Sequence, residues 1–329
     1  MQHDLHMQLR RLKWQAKGLP LSLKGFGNSL RQQLLSARGS RMLVYHGVCR
    51  NRPLRFNTLF VTKQHLEAQF RLFKKYFRVV PATDWFNGDV DQDRFTISLS
   101  FDDGFASHAE VVLPLLEKYR LPAIFFVTAS AAFQQTVLWN DVLCATARYG
   151  PAQLTFNGET YYVQAGHRYT SKQGVQLTAV LRGLPMEERE AFIAPLRAYC
   201  RVAEAAYWQQ LSEKQLRLLS ENPLVTIGAH SLLHEDLSCL EGDALRQNLC
   251  RSKQILETIT GKPVNALAFP YGAYTRATLA AAKDAGYTQL YADLADGEFN
   301  NESILRPRFT VNPFIRNLNL LYGTVKGSY

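Results

Sequence analysis

Short apolar runs and amphipathic stretches alternate along the chain from about residue 41 onward. "RMLVYH" (41–46) reads as a strand, and Thr62 then caps a helix whose Leu66, Phe70, Phe73 and Phe77 recur on one face. "FTISLSF" is the next strand, and Val111, Val112, Leu115, Leu116 and Tyr119 form the next helical stripe. "AIFFVT" follows as a continuous apolar run, the pattern of a parallel strand covered on both faces. The alternation resumes near residue 212. Ser212 with Glu213 opens a helix, "LVTIGA" is a strand, Leu245 to Ile259 is a helix ended by Gly261, "VNALAF" is a strand, Thr275 to Ala285 a helix and "YTQLYA" a strand. This repetition predicts an α/β fold, either a parallel barrel or a doubly wound sheet. Residues 131–210 break the rhythm. Within them "LTFNGETYYV" sets an Asn-Gly turn between β-rich flanks and reads as a hairpin, while Met186 to Cys200 has helical spacing. They are expected to form an insertion in the barrel and not an independent domain.

Composition narrows the class. With 329 residues, 47% of them hydrophobic, the chain can bury a large core. Its longest nearly apolar run, "LPAIFFVTASAAF", is 13 residues and too short for a bilayer, and "MQHDLHMQLRRLKW" has no continuous apolar stretch of the kind a secretion signal carries. The cysteines, Cys49, Cys144, Cys200, Cys239 and Cys250, are odd in number and far apart, which points to a reducing compartment. Of the formal charge of +10, residues 1–41 supply +7, from eight Lys or Arg against Asp4. The basicity therefore belongs to a leader, residues 1–40, where Leu5, Leu9, Leu12 and Trp14 interleave with Arg10, Arg11, Lys13 and Lys17. Such a segment suits contact with an anionic membrane surface, or a helix covering one end of the domain at 41–329. The body carries no basic stripe, zinc finger or aromatic RNA-binding pattern, so nucleic acid is not an expected partner. The expected location is the cytoplasm, with peripheral contact at the inner face of the membrane.

In parallel α/β folds chemistry collects at the C-terminal ends of the strands. "SLSFDDG" ends one strand at Asp102 and Asp103, "VTIGAHSLLH" ends another at His230 with His234 four residues on, and "NALAFPYGAY" ends a third at Pro270, Tyr271 and Gly272. Adjacent carboxylates repel, so a positive partner is required. Two histidines four apart share one face of a helical turn and can converge on one ion. Two imidazoles and one carboxylate leave a coordination position open for water on a divalent metal, and the other carboxylate is then free to act as a base.

These residues resemble the polysaccharide deacetylases of the NodB-homology group, carbohydrate esterase family 4. The resemblance runs from about Arg41 to Asn312, with "SFDDG", "HSLLH" and "AFPYG" in the family's order. It implies a distorted (β/α)7 barrel and metal-dependent hydrolysis of the acetamide of a hexosamine in an N-acetylated glycan. By position, Asp102 is the expected catalytic base and Asp103, His230 and His234 the metal ligands. Zinc is the first choice of ion, with cobalt, nickel or iron as alternatives. The Tyr271 backbone N–H is the expected oxyanion donor.

Two departures from the family pattern require separate assignments. The arginine of the third motif is Ala268 here, and Arg308 in "RPRFTV" is the candidate to hold the base in its place. No histidine follows His234 to serve as the usual C-terminal acid. Instead "VYHGV" ends the first strand, as in the circularly permuted branch acting on poly-β-1,6-N-acetylglucosamine, which makes His46 the expected acid. His65, His108 and His167 are read as structural or solvated. Trp139, Tyr161, Tyr162, Trp208 and Tyr274 are candidates to line a sugar groove, Trp139 and Tyr274 foremost. The alternatives are a hydrolase of another C–N bond, such as a cyclic imide or ureide, and a non-catalytic glycan-binding relative.

Overall fold

The computed structural model describes residues 27–50, 59–133, 137–164, 168–293 and 303–329. Most of the basic leader, and His167, therefore lie outside the described residues. The strands in chain order begin with β1 (Ser40–Tyr45), the short parallel pair β2 (Val48–Cys49) and β3 (Val61–Thr62), β4 (Arg78–Val79), β5 (Thr96–Phe101) and β6 (Ala123–Val127). They continue with β7 (Gln153–Phe156), β8 (Glu159–Gln164), β9 (Arg168–Ser171), β10 (Val225–Ala229), β11 (Ala266–Ala268), β12 (Gln289–Asp293) and β13 (Leu305–Thr310). The order β1-β13-β12-β11-β10-β6-β5 closes on itself because β5 also pairs with β1, Ser40 opposite Thr96 through Tyr45 opposite Phe101. All of these pairings are parallel, so the seven strands form the expected (β/α)7 barrel. It is uneven: β11 has three residues and β5 six, while β4 adds a short flank to the start of β5.

Period-two alternation divides the strand residues between two apolar clusters. Met42, Ile124, Phe126, Ala266, Ala268 and Tyr291 gather with Trp85 and Phe86. Leu43, Tyr45, Phe125, Val127, Leu267 and Leu290 pack instead with the surrounding helices. The first cluster fills the barrel and the second coats it. Size matching is tight. A Cβ on Gly228 would lie 2.6 Å from the Phe126 ring, so the glycine makes room for the largest side chain reaching across from β6.

The helices start and stop where the sequence places caps. Thr62 accepts the His65 N–H at 3.1 Å to open Lys63–Tyr76, Ser212 and Gln215 form a capping box for Glu213–Glu221, and Gly261 at φ 67° ends Gly242–Thr260. Thr275 caps Arg276–Asp284 in the same way. The stretch read as one helix over Met186–Cys200 is instead an α-helix to Ile193 followed by a 3₁₀ segment, Ala194–Tyr199. Pro195 has no N–H with which to continue the α-helical ladder.

Between β6 and β10 the chain builds a layer with its own core. Helix Trp139–Tyr149, the antiparallel sheet β7-β8-β9 and helices Leu177–Arg182 and Met186–Ile193 bury Trp139, Tyr161, Tyr169, Leu181, Ile193 and Trp208 together. The Asn157-Gly158 hairpin forms as expected, with φ 46° and 79° at its two turn residues. The third strand, β9, was not foreseen, because Arg168–Ser171 has little apolar alternation of its own.

His108 is fully buried among Phe101, Phe105 and Phe125, and its Nε2 donates to the His46 carbonyl at 3.1 Å. It is thus structural, and it fixes the end of β1. Burial pushes its pKa from 6.5 down to about 4, outweighing the help of the His46 carbonyl and the nearby aspartates. The folded state therefore resists a proton that the unfolded chain accepts. The stabilisation is complete above pH 6.5 and is lost as pH falls toward 4, a change of about 3 kcal/mol. Urea titrations at several pH values are expected to show this loss in the wild type, and its absence in His108→Phe.

Candidate metal centre and catalytic site

Because every barrel strand runs the same way, the ends of β1, β5, β10, β11 and β12 open at one mouth. At the end of β5 the Asp102 N–H still joins the ladder, donating to the Tyr45 carbonyl at 2.9 Å. Asp103 and Gly104 then both turn left-handed, at φ 78° and 81°. Aspartate is one of the few side chains that visits this region readily. Gly104 is required for space as well, since a Cβ there would stand 2.9 Å from Val127 Cγ1. The reversal sends the two adjacent carboxylates to different partners.

Asp102 is gripped by Arg308 of β13. Nη1 meets Oδ1 and Nη2 meets Oδ2, both at 2.8 Å, and both side chains are buried. This parallel two-point contact is the strongest geometry open to an arginine and a carboxylate. The same guanidinium lies 3.2 Å from Asp293 Oδ1 and over the Phe126 ring, 5.1 Å from its centroid. Burial raises the Asp102 pKa, but Arg308, His230 and His46 outweigh it and hold the carboxyl below the usual carboxylate range. Arg308 thus stands where the sequence reading needed a substitute for the arginine missing at Ala268.

Asp103 faces the histidines instead. Its Oδ1 lies 3.5 Å from His230 Nε2 and 3.2 Å from His234 Nε2, and one potential ligand atom from each of the three buried residues falls within 4.8 Å of the others. His230 Nδ1 is 2.8 Å from the Ala268 carbonyl, which only accepts, so Nδ1 carries the proton. On a neutral ring Nε2 is then a bare lone pair aimed at a carboxylate. Among the described residues, buried Asp103 Oδ1 has no hydrogen-bond donor of its own. Acceptors converging in this way need a cation between them, and a divalent metal fits this donor set. Burial lowers the His230 pKa, but Asp103 and Asp102 more than reverse it and leave it raised, as expected of an imidazole facing carboxylates. Burial acts upward on Asp103, and the two histidines outweigh it and hold that carboxyl well below its ordinary value.

The two imidazoles converge by a route the spacing did not indicate. "HSLLH" is not helical; Ser231 and His234 each take φ 60°, and the segment is a tight turn. Glu235 holds it, its Oε2 accepting from Ser231 Oγ at 2.9 Å and from the Leu233 N–H at 2.8 Å. The Leu232 N–H donates to Asn248 Oδ1 at 3.2 Å. Five residues with two left-handed positions bring the rings together as one helical turn would have done.

Tyr271 sits in the 3₁₀ turn Pro270–Gly272 with φ 62°. The backbone bonds of that turn start from the Gly272 and Ala273 N–H groups and leave the Tyr271 N–H outside them. Its phenol reaches His234 Nδ1 at 3.0 Å, a contact the sequence did not foretell. His46, half-buried, follows β1 close enough to both aspartates to help hold them ionised. All seven residues singled out from the sequence therefore belong to one mouth of the barrel. Three of the aromatic residues read as lining a sugar groove, Trp139, Tyr161 and Trp208, are instead buried in the core of the inserted layer. Tyr162 and Tyr274 are half-buried, Tyr274 against Phe269.

The sequence profile of the family described as polysaccharide deacetylase matches residues 89–290, more than half of the chain. No curated protein sequence matches. Among solved structures, the deacetylase PplD of Streptococcus pyogenes, in complex with acetate, superposes with a TM-score of 0.56 at 16% identity, over 86% of this chain and 97% of that one. IcaB of Ammonifex degensii gives 0.54 at 15% identity, covering 88% and 98%. The polysaccharide deacetylase BC0361 of Bacillus cereus gives 0.53 at 16%, covering 87% and 68%. At these identities the likeness is one of fold. The profile match stops short of both His46 and Arg308, whose strands lie at opposite ends of the chain and pair with each other.

Replacing Arg308 with Met leaves Asp102 a buried carboxylate with no fork to hold it, and is expected to destabilise the fold by about 3 kcal/mol or more in urea titrations. Arg308→Lys keeps the charge and should cost less. Arg308→Met combined with Asp102→Asn should recover part of the loss, since the carboxylate that lost its partner is then gone as well.

Proposed function

The chain belongs to the polysaccharide deacetylase family, and within it we propose an enzyme that removes N-acetyl groups from hexosamine residues of a cell-surface polysaccharide or its lipid-linked precursor. Its class is a hydrolase of N-acetyl amides on polysaccharide. The observation that carries the reading is the convergence of Asp103, His230 and His234 beside an aspartate, Asp102, that is ionised, oriented and committed to none of the three. A binding protein needs no such base.

Asp103 and the two Nε2 atoms would hold a divalent cation, zinc by the mixed nitrogen and oxygen character of the donors. Bound there, it supplies positive charge that acidifies water and polarises a carbonyl oxygen. The remaining work falls to the chain. Asp102, fixed by Arg308, takes a proton from the attacking water. The Tyr271 N–H donates to the oxygen of the tetrahedral centre as charge gathers on it. His46 gives a proton to the departing nitrogen, releasing acetate and an amine. Its place at the end of the first strand supports the permuted branch of the family and a β-1,6-linked substrate. Location at the inner membrane face rests on the charge of residues 1–40 alone. Among the described residues no helix is long and apolar enough to cross a membrane.

Metal-loaded protein is expected to release acetate from β-1,6-linked N-acetylglucosamine oligomers in preference to β-1,4-linked ones. Asp102→Asn and His46→Ala should each lower kcat by about 100-fold or more, with smaller changes in KM. Release unaffected by either substitution would contradict these roles, and preference for the β-1,4 oligomer would contradict the linkage.

A further inference from the structure

The loop that follows His234 carries two more buried acids, Glu235 and Asp236. Each is matched by an arginine of the inserted layer. Arg182 pairs with Asp236, and Arg189, wholly buried, has Nη2 3.7 Å from Glu235 Oε1. The Arg189 guanidinium makes no hydrogen bond among the described residues, and it lies over the Trp139 ring, 5.2 Å from its centroid. Trp139 Nε1 in turn donates to the His234 carbonyl at 3.2 Å. Arg182 also lies 4.3 Å above the Tyr271 ring, whose hydroxyl meets His234 Nδ1.

Trp139, Arg182 and Arg189 all come from the inserted layer, whereas residues 230–236 and Tyr271 belong to the barrel. Both rings meet a barrel group at Nδ1, the Ala268 carbonyl for His230 and the Tyr271 hydroxyl for His234. The two histidines nevertheless differ, because the backbone of His234 is also held from behind by the insertion, through Trp139. We propose that the inserted layer is the positioning device for His234: Trp139 and Arg189, aided by Arg182, fix the left-handed turn that aims His234 Nε2 at the metal position. The insertion thereby sets the affinity of the site for its ion. This rests on the reading of Asp103, His230 and His234 as a metal site. None of the three positioning residues needs to touch substrate.

The burial of an ion pair next to a metal ligand has a physical rationale here. Glu235 ties Ser231 and Leu233 through Oε2, and an anion so placed is tolerable only with a nearby cation. Arg189 is that cation, and Trp139 gives its planar face a surface to stack on. Groups that orient a ligating histidine from outside the coordination shell typically change metal affinity by about 10- to 100-fold when removed.

The test uses the full chain and Co²⁺ as the probe. Dissociation constants come from competition with a chelator, ligand geometry from the visible spectrum, and thermal stability is measured separately in excess chelator. Trp139→Phe keeps an aromatic ring for Arg189 and deletes the donor to His234. It is expected to melt within a few degrees of the wild type when stripped of metal, to bind Co²⁺ about 10-fold more weakly, and to show an altered spectrum. Arg189→Lys should retain more affinity than Arg189→Met, because it keeps the charge beside Glu235. Wild-type affinity and spectrum in Trp139→Phe would overturn the proposal, whatever the Arg189 variants do. A wild type that binds no Co²⁺ would overturn the metal reading as well, so the two failures are distinguishable.

Discussion

Two carboxylates on consecutive residues cannot share one buried environment, and the arrangement of the mouth follows from separating them. A single left-handed residue, Asp103, directs one toward the histidines while its neighbour stays in register with the strand and meets Arg308. Each acid then has its own compensation: a fixed guanidinium for Asp102, and for Asp103 a space shaped for a cation. In the proposed reaction the separation also divides the chemistry: the aspartate paired with Arg308 stays ionised and apart from the histidines, and the one facing the two imidazoles is left for the cation.

The Asp102–Arg308 contact depends on barrel closure. The two residues are 206 positions apart, and they meet because β1 pairs with both β5 and β13. The same closure brings His46, at the end of β1, beside the aspartates. Residues from both ends of the chain thus complete a site whose recognisable motifs all lie in the middle. Here the interior packing reaches the site directly: Gly228 leaves room for Phe126, and Phe126 supports the guanidinium that holds Asp102.

Strand and helix periodicity, cap residues and the Asn-Gly turn were enough to read a parallel α/β fold, because each is a local signal with a local physical cause, whereas the choice of a barrel over a doubly wound sheet came from the family resemblance. The cluster of Asp103, His230 and His234 was legible for the same reason, as chemistry-bearing residues at strand ends. The geometry that joins them was less so. The His-x-x-x-His spacing fits a helical turn and a left-handed turn equally well, and only the fold's demand at Ser231 and His234 selects the second. Trp139 was read as a sugar platform because it follows a strand end, but burial against Arg189 and His234 is a tertiary fact with no local mark. Arg189 and Glu235 carried no signal at all. They are ordinary charged residues on opposite sides of a contact that sequence alone does not show. Arg308 was found only by elimination, as an arginine near the end of the body when the motif's own was absent.

The central claim is that one ion is held by Asp103, His230 and His234 while Asp102 stays on Arg308. Anomalous diffraction at the absorption edge of the bound metal, on crystals of the full chain, tests it most directly. The account predicts a single peak with His230 and His234 Nε2 and an Asp103 oxygen each at about 2.0–2.2 Å, and Asp102 still paired with Arg308. A peak coordinated by Asp102, or lying away from these three side chains, would contradict it.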